Sequence, residues 1–241
     1  MRFIGSLILF LCVFIFGVGY SQSDSSHWHD RLSMSFELGA SSPQGAFARK
    51  YDRTPFSFAL SVGIKPNHSR YQFIFLQSNY QRLALFRKIF PVQSPQGGLF
   101  DINHSTSSNM LSVGLGYRYE FDQIWYIIPR VSFAFGACNA FVYTSIKDNV
   151  TDEIIESYRE ASDWSYLSTV KAGLNVPIIP GVQISLLFSY IRSGPLEVYL
   201  PRQDPIFPSP VNPFNNYEAR RSIIGLLAME IGVTLYFNQF H

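Results

Sequence analysis

The chain carries a recurring two-residue alternation of apolar and polar or small side chains. Residues 230–237 show it well: Ile231, Val233, Leu235 and Phe237 fall on one side of an extended strand, and Glu230, Gly232, Thr234 and Tyr236 on the other. The same period predicts strands over 32–40, 56–64, 110–121, 124–143, 164–176 and 182–192, with a last strand from about 222. In the first, Met34, Phe36, Leu38 and Ala40 oppose Ser33, Ser35, Glu37 and Gly39. A further strand, about 70–81, reads less clearly. Tyr71, Phe73 and Phe75 make one apolar face, yet Ile74 and Leu76 interrupt the other. Pro129 is expected to mark a bulge, since it cannot donate to a ladder.

That makes eight strands, and their links alternate in length. Links 65–69, 122–123 and 177–181 are short, whereas 41–55, 82–109, 144–163 and 193–221 are long. With both ends of the barrel region on one side, every short turn falls on that side and every long link on the other. This is the pattern of an up-and-down antiparallel transmembrane β-barrel with periplasmic turns and extracellular loops. Ten strands remain open, because Leu83 to Pro91 could pair with something. Aromatics gather near both predicted strand ends: Tyr117, Tyr119, Phe121, Trp125 and Phe237 on the turn side, Phe56, Trp164, Tyr166 and Tyr190 on the loop side. Rings with one wet edge favour a membrane interface.

Composition agrees with this all-β reading. Charged residues make up 15% of the 241 and aromatic ones 16%. A mean hydropathy of +0.07 is too low for a bundle of membrane helices. Between Lys171 and Arg192 lies an uncharged run, but Pro177, Pro180 and Gly181 interrupt it, so two strands and a turn are expected there. Residues 1–21 read as a secretory signal: Arg2, an apolar run over 3–18, then Gly19 and Ser21 before cleavage at Gln22. An uncleaved anchor helix is the alternative. Residues 22–31 form a polar lead and 32–241 the barrel. Losing Arg2 with the signal leaves one fewer than the 19 basic residues against 17 acidic ones, which argues against nucleic acid as a partner. Cys138 is then the sole cysteine, so no internal disulfide forms.

The polar faces of the predicted strands collect Glu37, Arg118, Glu120, Arg130, Lys171 and Glu230. Charges in a narrow lumen must pair, and eight strands leave room for side chains rather than a wide pore. These six are therefore expected to form a salt-bridge plug; a proton or ion path, or a catalytic pair, is the sharper alternative. His104 beside Ser105, Ser107 and Ser108, with Asp101 or Glu120 as the acid, is the candidate for a lipid-modifying hydrolase of the outer membrane. A polar loop is the plainer reading, and no enzyme is expected. His27 and His29 lack a third ligand, and 147–156 lacks the central Gly of a calcium loop. No metal and no cofactor are expected. The link 193–221 carries six prolines among Tyr199, Phe207, Phe214 and Tyr217, which suits an ordered loop packing on another envelope protein or over the barrel mouth.

Two resemblances follow from these residues. Glu230, Gly232, Leu235 and Phe237 resemble the C-terminal signal by which outer-membrane barrels are recognised for insertion, which implies the barrel-assembly machinery as a transient partner. The run Gly39-Ala-Ser-Ser-Pro43-Gln-Gly45-Ala-Phe47-Ala-Arg-Lys-Tyr51, with a signal ending Tyr20-Ser21-Gln22, resembles the porin-like outer-membrane barrels of Bacteroidota. That family implies an integral barrel in outer-membrane lipid, without a cofactor and without one fixed activity. Structural and partner-binding roles, a narrow porin and a soluble lipocalin-like carrier are the functions to weigh.

Overall fold

The computed structural model describes residues 32–48, 54–66, 71–93, 99–201 and 217–237. The signal, the polar lead, His27 and His29 lie outside them. Eight antiparallel strands close into one barrel in chain order: β1 Leu32–Pro43, β2 Phe56–Ile64, β3 Gln72–Gln93, β4 Leu99–Glu120, β5 Ile128–Asp148, β6 Ile154–Ile179, β7 Val182–Pro201 and β8 Tyr217–Tyr236. A four-residue helix, α1 (Gly45–Ala48), follows β1. The closure is β1 against β8, from Ser33↔Tyr236 to Pro43↔Leu226.

Eight strands replace the eight-or-ten alternative. Leu83–Pro91 continues β3 and pairs with the lower-numbered half of β4, so it adds no hairpin. The long links shrink for the same reason. β6 runs for 26 residues and β4 for 22, whereas about 9–11 suffice to cross a bilayer. The strands extend well past the membrane at the end where the long links were expected.

Three expectations at strand ends change. The fifth strand starts at Ile128 rather than Ile124, because 124–127 fold back on themselves: Ile124 and Ile127 exchange backbone hydrogen bonds (2.8 and 3.0 Å), and Trp125 takes a left-handed φ of 59° at the tip. Pro129 causes no bulge. It lies beyond Arg130↔Glu120, the last β4–β5 pair, so its missing donor falls where that ladder stops, while its carbonyl accepts from Phe121 N–H (2.9 Å). Pro177 and Ile179 stay in β6, with a register shift between them, and the turn is confined to Pro180 and Gly181.

The barrel is inside-out across its turn-side half. Phe36, Ile74, Leu76, Leu115, Phe133, Phe135, Val170, Phe188, Met229 and Ile231 are exposed on the outer wall, while serines, threonines, amides and charges are buried within. Water cannot be the solvent of such a wall. On β3 the faces settle the ambiguity of the sequence: Phe73 and Phe75 point inward and Ile74 and Leu76 outward. The belt is bordered by exposed rings, Tyr117, Phe121, Trp125 and Tyr126 at the turn end, and Phe56, Trp164, Tyr166 and Tyr190 at the other. Beyond the second border Arg82 and Arg192 are exposed, which marks where the apolar wall ends.

Candidate functional site

The barrel interior is where this chain concentrates its chemistry. All six predicted charges lie inside and are buried, with exposures of 1% to 7%. The closure of β1 on β8 places Glu37 opposite Gly232 and Glu230 opposite Gly39. Each glutamate folds over its glycine. A Cβ on Gly232 would sit 2.8 Å from Glu37 Cγ, and one on Gly39 2.7 Å from Glu230 Cγ. The two glycines thus make room for both carboxylates at the barrel centre.

From there one ionic chain crosses the lumen. Arg130 Nη2 donates to Glu37 Oε1 (2.8 Å), Lys171 Nζ donates to Glu37 Oε2 (2.6 Å) and to Glu230 Oε2 (2.7 Å), and Ser189 donates to Glu230 Oε1 (3.1 Å). β1 and β5 lie on opposite sides of the eight-strand ring, so the Glu37–Arg130 pair is a strut across it. A second group sits nearer the turns. Arg118 Nε is 3.2 Å from Glu120 Oε1, its Nη atoms donate to Ser33 (2.8 Å) and Ser35 (3.2 Å), and its guanidinium lies 4.2 Å over the Phe73 ring. Tyr236, the last strand residue, donates its hydroxyl to Glu120. Ser35 and Thr234 share a hydrogen bond (3.0 Å), and Thr234 also accepts from Arg130 (3.5 Å), which joins the two groups.

The three acids and three bases balance, as a low-dielectric interior requires. Glu37, Arg118, Arg130 and Lys171 leave no water-sized space between them. Beside them, Gln77, Asn79, Ser112 and Thr169 line a cavity of about 10 Å³, room for roughly one water.

Above this polar layer lies a second closure that the sequence reading missed. Phe47 of α1 is buried with Leu83, Met110, Leu167, Ile191, Leu196, Ile224 and Leu226 in one apolar cluster at and beyond the level of Arg82 and Arg192. The Gln44 N–H donates to the Gly225 carbonyl (2.8 Å), which fixes the start of α1 to β8. The signal for it was present on β8, whose inward face changes from Glu230, Gly232 and Thr234 to Ala228, Leu226 and Ile224.

The other candidates disperse. His104 points inward and is buried, while Ser105 and Ser107 lie on the opposite face of β4 and donate to the carbonyls of Ser145 and Tyr143. Asp101 is exposed, and Glu120 sits at the far end of the same strand. Ser108 shares the inward face of His104 four residues along β4, and among the described residues neither Asp101 nor Glu120 joins the two of them. Residues 147–156 form the tip of β5–β6, where Asp148 accepts from Val150 and Thr151 N–H (2.7 and 3.0 Å) and is held below the usual carboxylate range by those donors. Among the described residues no group of three or more metal-binding side chains occurs. Tyr199 and Tyr217 belong to the backbones of β7 and β8 rather than to a loop, and Phe207 and Phe214 lie outside the described residues.

No protein-family model and no curated protein matches the chain. Among solved structures it is similar to Neisserial surface protein A, at 12% identity over 85% of this chain and 96% of that one, with a TM-score of 0.45. It is also similar to a major outer membrane protein of Thermus thermophilus (10% identity, 85% and 98% covered, TM-score 0.39) and to Ail, the attachment invasion locus protein of Yersinia pestis (13%, 85% and 95%, TM-score 0.35). At such scores these likenesses carry no inference. The fold and its setting rest on the geometry of the barrel itself, a closed eight-stranded transmembrane β-barrel with an apolar outer belt and paired charges inside.

Proposed function

We propose that this chain is an outer-membrane protein whose barrel is a sealed mount and whose strand extensions beyond the membrane carry binding of a protein partner. The observation that supports it most is the double closure of the lumen, a neutral ionic network on the turn side and the Phe47 cluster beyond it. A lumen filled twice over gives little to conduction, whereas strands of 20 to 26 residues place much of their length outside the bilayer. In this reading Glu230, Gly232, Leu235 and Phe237 serve the assembly machinery during insertion, and the kinship with Bacteroidota barrels is one of sequence pattern.

Purified protein in planar bilayers should give no ion-conducting steps, while staying in carbonate-washed outer membranes and shifting its gel mobility on boiling. Steady conductance would replace the sealed mount with a narrow porin. His104→Ala should leave lipid A mass spectra unchanged; an altered spectrum would revive the lipid-modifying hydrolase.

A further inference from the structure

The six charges of the lumen are all paired, but the arginines of the outer wall are not. Among the described residues the only ion pair outside the lumen joins Lys147 to Asp152 at the β5–β6 tip. Arg82, Arg87, Arg159 and Arg192 are exposed and none of them pairs with an acid. They also stand on one side of the belt. Arg82 and Arg192 mark its outer border, and Arg87 and Arg159 lie beyond it, whereas the described arginines of the turn-side half, Arg118 and Arg130, are both inside.

Two of these arginines converge, and the strand register fixes their face. Arg82 lies opposite Asn109, and Asn109 opposite Phe141. Asn109 alternates in step with Leu111, Val113 and Leu115, the lipid-facing side of β4, so this row is on the outer wall. In the next outward row of the same face, Ser107 lies opposite Tyr143 and Tyr143 opposite Arg159. The Arg159 side chain turns back toward the membrane. It donates to Asn139 Oδ1, and its guanidinium lies 4.8 Å over the Phe141 ring. Arg82 and Phe141 are two strands apart, about 10 Å, so a group resting over Asn109 lies between the two arginines. The floor beneath it is held by neutral groups. Tyr80 donates to Asn109 Oδ1 (2.7 Å), and Asn109 Nδ2 donates to the carbonyl and hydroxyl oxygens of Ser107 (3.1 and 2.9 Å). The guanidiniums are the donors left to face outward.

The position of this spot selects its occupant. Directly below it on the same wall are Leu111, Val113 and Leu115 of β4, and Trp164 stands beside it, opposite Asn139, where the belt ends. A surface that continues an apolar belt past its border faces the headgroups of the lipids whose chains cover that belt. Two guanidiniums without acids favour an anion whose oxygens accept parallel N–H bonds, and among headgroups that anion is a phosphate. We propose that Arg82 and Arg159 hold the phosphate of one phosphorylated lipid of the outer leaflet, with its acyl chains along Leu111, Val113 and Leu115. Arg192 is also at the border but on β7, across the ring from β3, so it takes no part. Arg87 lies opposite Ser105, farther out than Ser107, and takes no part either. The site goes beyond the protein-binding role proposed above and does not depend on it.

The test is a lipid titration of the protein purified from outer membranes in a non-ionic detergent and stripped of lipid. Diphosphorylated lipid A and its dephosphorylated form are added separately, and lipid bound per barrel is counted by native mass spectrometry. The phosphorylated form should saturate at one molecule per barrel, and the dephosphorylated form should bind at least roughly tenfold more weakly. Arg82→Gln and Arg159→Gln should each weaken the phosphorylated form roughly tenfold, and together should abolish the preference for phosphate. Arg87→Gln and Arg192→Gln should leave it unchanged, and inorganic phosphate at the lipid's concentration should not displace it. Equal binding of the two lipids, unchanged binding by Arg82→Gln, equal weakening by Arg192→Gln, or displacement by inorganic phosphate would each overturn the proposal. The heat-shifted gel band of each variant reports folding. Arg82 has no ion pair to lose, so Arg82→Gln decides the matter even if Arg159→Gln, which gives up Asn139 and Phe141, fails to fold.

Discussion

The two halves of this barrel solve opposite solvent problems with one continuous set of strands. On the turn side of Arg82 and Arg192 the wall is apolar and the interior holds Glu37, Arg118, Glu120, Arg130, Lys171 and Glu230. Beyond them the inside holds Phe47, Leu83, Leu196, Val198 and Ile224, and the outside carries Arg87, Glu197 and Arg221. β8 shows the change within a few residues, from Glu230 inside and Ile231 outside to Ile224 inside and Arg221 outside. Polarity therefore follows the surrounding solvent while hydrogen bonding between strands continues across the border. The membrane half has no hydrophobic effect to gain from its filling, so directional pairing holds its interior together. The outer half folds as a water-soluble protein does.

The largest expected effect breaks that contrast from inside the membrane half. Lys171→Leu leaves Glu230 without its cation in a site that is 1% exposed. The cost should be about 3–5 kcal/mol, read as a lower urea midpoint for loss of the heat-shifted band. Adding Glu230→Leu should recover much of it, since an apolar replacement of a whole buried pair is often neutral. If Lys171→Leu alone is neutral, the network is not what holds the membrane half.

How much of this could be read from the chain divides along the same border. In the membrane half the alternation keeps one sense, apolar outward, and a charge on a strand that crosses lipid has one place to go. That is why Glu37 and Lys171 could be assigned to the lumen. Their pairing could not, because it depends on the shear that sets Glu37 opposite Gly232 and carries Arg130 across the ring. In the outer half the alternation changes sense, and register shifts at Arg82/Ala84, Val142/Tyr143 and Arg192/Pro195 also change its phase. Leu83 and Ala84 are both buried as a result, and stretches such as 82–109 lose the look of strands. Phe47 was hidden differently. A single ring in a four-residue helix leaves no periodic signal, and its role follows from where α1 is anchored.

The outer walls give a second, smaller contrast. Leu115 is 63% exposed on the belt and Val150 is 86% exposed at the β5–β6 tip. By accessible surface the two sites are alike; by solvent they are opposite. Leu115→Arg should cost about 2–4 kcal/mol in lipid vesicles, because the guanidinium must be carried into hydrocarbon. Val150→Arg should stay within about 0.5 kcal/mol. Equal effects at the two sites would mean that the wall around Leu115 does not face lipid.

The smallest effect belongs to the outer interior, where burial shifts a titratable group. His104 lies on the inward face of β4, five residues beyond Asn109, and burial pushes its imidazole below the ordinary value. In the unfolded chain the imidazole titrates near an ordinary value of about 6.5. Well above that pH both states are neutral, so His104 adds no pH dependence. As the pH falls through that value the unfolded chain takes up the proton more readily than the folded one, and stability is lost until the folded state also protonates. The carboxylates of the membrane half titrate too, so a variant is needed to isolate the term. Wild type and His104→Asn should keep a constant difference in unfolding midpoint above about pH 7, and wild type alone should lose additional stability between about pH 6.5 and 5. Parallel curves through that interval would show that the His104 side chain reaches water, and that the outer half is less closed than its apolar filling implies.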